Sequence, residues 1–170
     1  DLLMMHRDDP KIPVAVIVDY LNGEIKAGRI RAYGGSNWSI ARIQEVQDYA
    51  RKTGQRGFSA SSPNLSLAVP QDPMWAGCVS LLGADRDWHK ASQMPVIAWS
   101  SQAGGFFTGR FKKEDRGNPD IVRVYYNDQN FERLRRAQEL GRKKGVSANA
   151  IALAYVLNQP YPVVSLIGPR

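Results

Sequence analysis

The chain has 170 residues, 43% hydrophobic, with 15 Gly and 10 Pro. This is a globular composition with enough apolar residues for one sizeable core, which excludes a disordered or fibrous class. The net charge of +7 comes from dispersed basic residues, and the clusters Arg133, Arg135, Arg136 and Arg142, Lys143, Lys144 share one expected helix; a solvated helix face is therefore expected rather than a nucleic-acid surface, although a basic mouth for a phosphate-bearing cofactor remains open.

Leu2 to His6 reads as a buried strand, closed by Arg7-Asp8-Asp9-Pro10. Pro13 suits a helix start, and Val14, Ile17, Leu21 and Ile25 then recur as one apolar face. Gly28 suits its stop. Residues 29–34 read as the second strand. It runs through Gly34-Gly35-Ser36-Asn37 to Ser39, an N-cap for a helix over 39–53 with Ile40, Ile43, Val46 or Gln47, and Ala50 on one face. The paired glycines imply either unusual backbone angles or a close backbone approach. Phe58 to Ser62 is a third strand, and the Pro- and Gly-punctuated residues 63–83 form a long loop. A short helix over 85–93 precedes the strand Pro95–Trp99, which ends in Ser100-Ser101-Gln102-Ala103-Gly104-Gly105. Residues 106–127 read as a second long loop. A helix follows over 130–144, with Phe131, Leu134, Ala137 or Gln138, and Leu140 inward and Glu132 paired with Arg136. Ser147 caps a helix reaching about Asn158, apolar nearly all round and expected to be buried. The last strand is 162–167.

No apolar run approaches the roughly 20 residues that cross a membrane. The single cysteine, Cys78, rules out an internal disulfide and fits a reducing, cytoplasmic setting. The chain starts inside one apolar run and stops just after another, which reads as a segment of a larger gene product.

Alternating strands and helices mean parallel βαβ units. A doubly wound sheet and a (β/α)8 barrel compete. No strand is followed by Gly-x-Gly-x-x-Gly, which weakens the first. The second makes this chain a partial barrel of about five βα units, since a full barrel takes about 250 residues. In a barrel, the residues beyond the strand C-termini converge on one mouth. Here they are His6; Ser36 and Asn37; Ser62 and Asn64; Trp99, Ser100 and Gln102; Gly168 and Arg170. An imidazole, amide and hydroxyl groups, an aromatic plate, glycine turns and a guanidinium suit a cofactor with an amide-bearing ring and phosphates. No metal-ligand spacing stands out.

The sequence resembles the aldo/keto reductase family across its whole length. Leu3-Met4-Met5-His6-Arg7-Asp8 looks like that family's strand-4 motif. Gly28-Arg29-Ile30-Arg31-Ala32-Tyr33-Gly34-Gly35-Ser36-Asn37-Trp38 resembles its strand-5 motif, and Ile97-Ala98-Trp99-Ser100 with Ala103-Gly104-Gly105 its strand-7 motif. Val146 to Gln159 resembles the family's "GVTPAQVALAWLL" helix, and Ser165 to Arg170 its strand-8 ending. The resemblance implies a single partial (β/α)8 TIM-barrel domain over 1–170, NADPH as cofactor, and a small-molecule carbonyl substrate, an aldehyde or ketone reduced to an alcohol. It implies His6 as the active-site His that orients the carbonyl. It further implies that Ser36 and Asn37 hold the carboxamide and that Trp99 stacks on the nicotinamide. Ser100 and the loop with Gln102 and Gly104 would approach the pyrophosphate, and Gly168 and Arg170 would lie near the adenosine phosphate. Ser62 stands where the family usually has Gln, with Asn64 nearby as a substitute. The family's catalytic Tyr, Lys and Asp belong to its first three strands, and no tyrosine of this chain matches that motif. Two other functions stay open: a barrel that binds the dinucleotide without turnover, and a segment inactive alone.

Overall fold

The computed structural model describes residues 1–168, so Pro169 and the expected phosphate contact Arg170 lie outside the described residues. Five parallel strands form one sheet: β1 (Leu2–Met5), β2 (Ala32–Ser36), β3 (Ser61–Ser62), β4 (Val96–Ala98) and β5 (Val163–Ser165). Their spatial order is their chain order. A doubly wound sheet reverses direction at a switch point, whereas strands added always on the same side build a barrel wall. The α/β fold is therefore a run of parallel βα units, consistent with a partial (β/α)8 barrel.

Helix α1 (Val14–Lys26) starts directly after Pro13 and buries Val18 and Leu21. Helix α2 (Ile40–Thr53) is capped by Ser39, whose Oγ accepts from the Arg42 N–H, and ends at left-handed Gly54; Ile43, Val46 and Ala50 form its buried stripe. Together these helices cover β2 with a core that includes Tyr33, Trp38 and Phe58. The question posed by Gly34 and Gly35 resolves as close approach. Neither has positive φ. A Cβ on Gly34 would stand 2.4 Å from the Ala60 carbonyl oxygen, and one on Gly35 would stand 2.7 Å from the Phe58 ring.

Several expectations change. Leu2 is 43% exposed rather than buried, because β1 lies at a sheet edge and pairs only with β2 among the described residues. β2 begins three residues later than the sequence implies and runs to Ser36. Residues 106–127 are not one loop. An irregular 3₁₀ segment, Ala103–Thr108, is interrupted at Gly104 and Gly105, and α4 (Pro119–Tyr125) follows, with Asn118 capping and Pro119 at its first turn. The Asn-Pro pair carried that signal. Helix α3 is Gly83–Ser92. Helix α5 (Asp128–Lys144) buries Asn130, Leu134, Ala137 and Gly141, so Leu140 falls just off the stripe and is exposed. Helix α6 (Ala148–Leu157) fully buries only Ala152 and Val156, leaving Leu157 exposed.

The two long connections order each other. Asn130, fully buried, accepts from the Val69 N–H at 2.9 Å and donates to the carbonyls of Val69 (2.8 Å) and Tyr125 (2.9 Å). Arg123 pairs with Asp72 and donates to the carbonyls of Pro73 (2.7 Å) and Met74 (2.9 Å). Residues 63–82 thus lie as a fixed cover over the strand ends, with Asn64 bridging to Ser80 and Trp99.

Candidate functional site

The C-terminal ends of the strands open into a cavity of about 560 Å³ lined by His6, Ser36, Asn37, Ser62, Trp99 and Ser100. They come from four strand ends or the turns that follow them: His6 after β1, Ser36 and Asn37 at β2, Ser62 at β3, and Trp99 and Ser100 after β4. A second cavity of about 560 Å³ adjoins, sharing Ser100 and Leu166, and is lined by Gln102, Gly104 and Gly168. Of the described residues named from the sequence as site residues, all but Asn64 line one of these two adjoining cavities.

The first cavity's polar floor is wired internally. Ser36 Oγ donates to the Ser62 carbonyl at 3.0 Å, and Ser62 Oγ donates to the Ile97 carbonyl at 2.7 Å. Asn37, at φ 58° in the left-handed region, donates from Nδ2 to Ser36 Oγ at 3.1 Å and accepts from the Val79 N–H at 3.2 Å. What remains is one Nδ2–H of Asn37 as donor and hydroxyl lone pairs of Ser36 and Ser62 as acceptors. A carboxamide presents one carbonyl and one NH₂, which matches that remainder. Asn64 is different: its side chain donates to the Tyr125 hydroxyl at 3.3 Å and does not line the cavity. Burial pushes the Tyr125 phenol up, so it stays protonated there.

His6 is held from behind. Asp8, two residues on, takes both Nε (2.9 Å) and Nη2 (3.2 Å) of Arg42 on α2, an ion pair with both side chains largely buried. The Asp8 carboxylate raises the Arg42 pKa above its ordinary value. This clamps the segment after β1 to the outer helix and fixes where His6 leaves the strand.

Trp99 stands at the end of β4, and Trp75 from the cover approaches it with ring centroids 6.0 Å apart at 33°. Trp75 is 59% exposed. Beyond Trp99, Ser100 (φ 50°), Ala103 (49°), Gly104 (61°) and Gly105 (84°) adopt left-handed backbone. Within the turn the Ala103 and Gly105 N–H groups donate to the Ser100 and Gln102 carbonyls at 2.7 and 2.9 Å, and the side chains of Gln102 and Arg110 line the adjoining cavity, where an anion would meet them. Non-glycine residues at such angles carry strain that clusters at functional sites. Gly104 could not be exchanged freely, since a Cβ would stand 2.5 Å from Ile121 Cδ1. The residue set thus fits a dinucleotide: a carboxamide site and an aromatic face in one cavity, and an amide and a guanidinium, Gln102 and Arg110, in the next.

The sequence reading missed Arg7, Trp75 and Cys78 in the first cavity and Thr108, Arg110 and Asn149 in the second. Arg7 was findable as the neighbour of His6. The others come from connections whose path no local pattern reveals. Among the described residues no group of three or more His, Cys, Asp or Glu side chains is placed to hold a metal ion, and no helix is long and apolar enough to cross a membrane.

Comparison with known proteins agrees with this architecture. A model of the aldo/keto reductase family matches residues 1–170. The chain is 26% identical over its whole length to uncharacterized oxidoreductase YrpG of Bacillus subtilis, covering 49% of that protein. It is 27% identical to versiconal hemiacetal acetate reductase of Aspergillus parasiticus, over 98% of this chain and 48% of that one. It is 23% identical to 6-dehydroglucose reductase of Agrobacterium fabrum, over 99% of this chain and 46% of that one. The chain spans about half the length of the curated relatives it matches. With a parallel sheet in barrel order, a strand-end cavity and a family match from first residue to last, the chain belongs to the aldo/keto reductase family.

Proposed function

We propose that residues 1–170 form the cofactor-facing part of an NADPH-dependent oxidoreductase that reduces aldehydes or ketones to alcohols. The observation that carries this reading is the convergence of His6, Ser36, Asn37, Ser62 and Trp99 on one cavity that adjoins, at Ser100, a second lined by Gln102 and Arg110. When bound, the reduced nicotinamide supplies the hydride for the carbonyl carbon. Asn37 donates to the carboxamide oxygen and the Ser36 and Ser62 hydroxyls accept from its NH₂. Trp99 offers a ring face, and the 100–105 turn with Gln102 receives the pyrophosphate. His6 hydrogen-bonds the substrate carbonyl oxygen and sets its orientation. The proton for that oxygen comes from the Tyr, supported by Lys and Asp, that the family carries on its first three strands. The setting is cytoplasmic, where NADPH is available.

The test uses the full-length protein and follows NADPH oxidation with a simple aldehyde. His6→Ala is expected to lower kcat/KM about 100-fold, the usual scale for a positioned acid–base group. An unaltered rate removes His6 from the role given to it. A second reading, a barrel that binds the dinucleotide without turnover, is separated by the same assay. Tight NADPH binding with no oxidation by any aldehyde establishes that reading instead.

A further inference from the structure

The first cavity contains a cation that the reading above leaves without a task. Arg7 directly follows His6, is half-buried, and lines the same cavity. Its Nη1 donates to the Gly77 carbonyl at 3.3 Å and to Cys78 Sγ at 3.5 Å, both on the cover. Among the described residues, its Nε and Nη2 have no acceptor and its charge has no carboxylate partner. The nearest acid in the chain, Asp8, is committed to Arg42. The Nε–Nη2 edge is the one that Arg42 uses to grip Asp8 with two hydrogen bonds. On Arg7 that edge has no acceptor among the described residues, and the cavity that Arg7 lines has Met4, Ile97, Trp75, Trp99 and Leu166 among its walls.

A guanidinium fork lining a cavity with apolar walls matches the two coplanar oxygens of a carboxylate. We propose that the preferred substrate is a carbonyl compound that also bears a carboxylate, with Arg7 binding that carboxylate through Nε and Nη2 as a specificity-determining residue. This rests on the reductase reading for its chemistry. His6 and Arg7 line the same cavity, so the carbonyl and the carboxylate belong to one small molecule that spans between them. Trp75, which lines the same cavity, borders its apolar or aromatic body. A carboxylate suits the site better than a phosphate, because the single charge of Arg7 balances one carboxylate but not a dianion.

The experiment compares 4-carboxybenzaldehyde with its methyl ester, methyl 4-formylbenzoate, using the full-length protein and NADPH. The expected wild-type preference in kcat/KM is at least about tenfold for the acid, the scale of a charge-assisted hydrogen bond. In Arg7→Met the acid is expected to lose at least about tenfold more than the ester, so that the preference disappears; Arg7→Lys, with charge but no fork, is intermediate. A preference that survives Arg7→Met overturns the proposal. So does an equal loss for both compounds, which marks Arg7 as only a support for the cover. If neither compound is reduced, the reductase reading fails separately. Quenching of indole fluorescence then measures binding of the two compounds directly, and acid-selective binding that vanishes in Arg7→Met supports the Arg7 assignment, whereas equal binding overturns it.

Discussion

The Val79 backbone N–H donates to Asn37 Oδ1 at 3.2 Å, so a cover 42 residues downstream fixes the amide at the end of β2. That bond sets which end of the amide faces the cavity: the oxygen is occupied, and an Nδ2–H remains for a ligand. Asn37→Asp keeps the acceptor for Val79 but removes the donor. It is expected to weaken NADPH binding about tenfold, the worth of one hydrogen bond, and to change the unfolding temperature little. Titration of NADPH fluorescence checks this; an unchanged Kd removes Asn37 from the cofactor contacts.

Asn130 joins the cover to α5. It is fully buried and bonded to both backbone groups of Val69 and to the Tyr125 carbonyl. Asn130→Ala leaves both backbone groups of Val69 without their partner, while the Tyr125 carbonyl keeps the Asn127 N–H at 3.0 Å. The expected loss is about 2 kcal/mol, since each of the two abandoned groups costs about 1–3 kcal/mol and relaxation recovers part. Urea unfolding measures it. A loss under about 0.5 kcal/mol contradicts the anchoring role.

Gly34→Ala and Gly23→Ala form a matched pair. At Gly34 the new methyl meets the Ala60 carbonyl oxygen at 2.4 Å, backbone against backbone between adjacent strands, while at Gly23, inside α1, nothing lies within 4 Å. Gly34→Ala is expected to unfold the protein or lower its melting temperature sharply. Gly23→Ala is expected to stabilise it by roughly 0.5–1 kcal/mol through helix propensity. Thermal denaturation of both variants decides the point, and equal behaviour refutes the close-approach account.

His89 gives a pH dependence. It is fully buried, with Nδ1 at 2.9 Å from the Asp85 carbonyl oxygen and no partner for Nε2 among the described residues, against Trp88 and Tyr161. Burial holds its pKa below the ordinary 6.5. The unfolded chain takes up a proton as pH falls through about 6.5, but folded His89 does so only at lower pH. Its neutral-pH stability is therefore lost as pH falls from about 6.5 towards the folded pKa, by at most about 1.4 kcal/mol per pH unit. Denaturant unfolding at pH 7.5 and 5.5 should show a larger acid loss in wild type than in His89→Phe. Identical slopes contradict the prediction.

The helices and strands were legible because short-range chemistry made them. Ser39 and Gly54 bracket α2 as cap and stop, and Ser36 and Asn37 follow a strand whose glycines had to be small. The elements misread were those whose fate lay in their neighbours. Leu2 is exposed because β1 sits at an edge, and Leu140 because α5 turns its stripe half a step away.

What the sequence alone determined was the alternation of parallel βα units and the set of groups at the strand ends, since both follow from periodicity, caps and turn residues close along the chain. The tertiary structure decided which of those groups keep a free valence. Asn37 loses its oxygen to Val79, Asn64 turns to Tyr125, and the Nε–Nη2 edge of Arg7 has no acceptor among the described residues while Arg42 closes the same edge on Asp8. Hydrogen-bonding capacity is finite. How it is spent depends on partners tens of residues away, which only the folded arrangement of the cover and helices brings within reach.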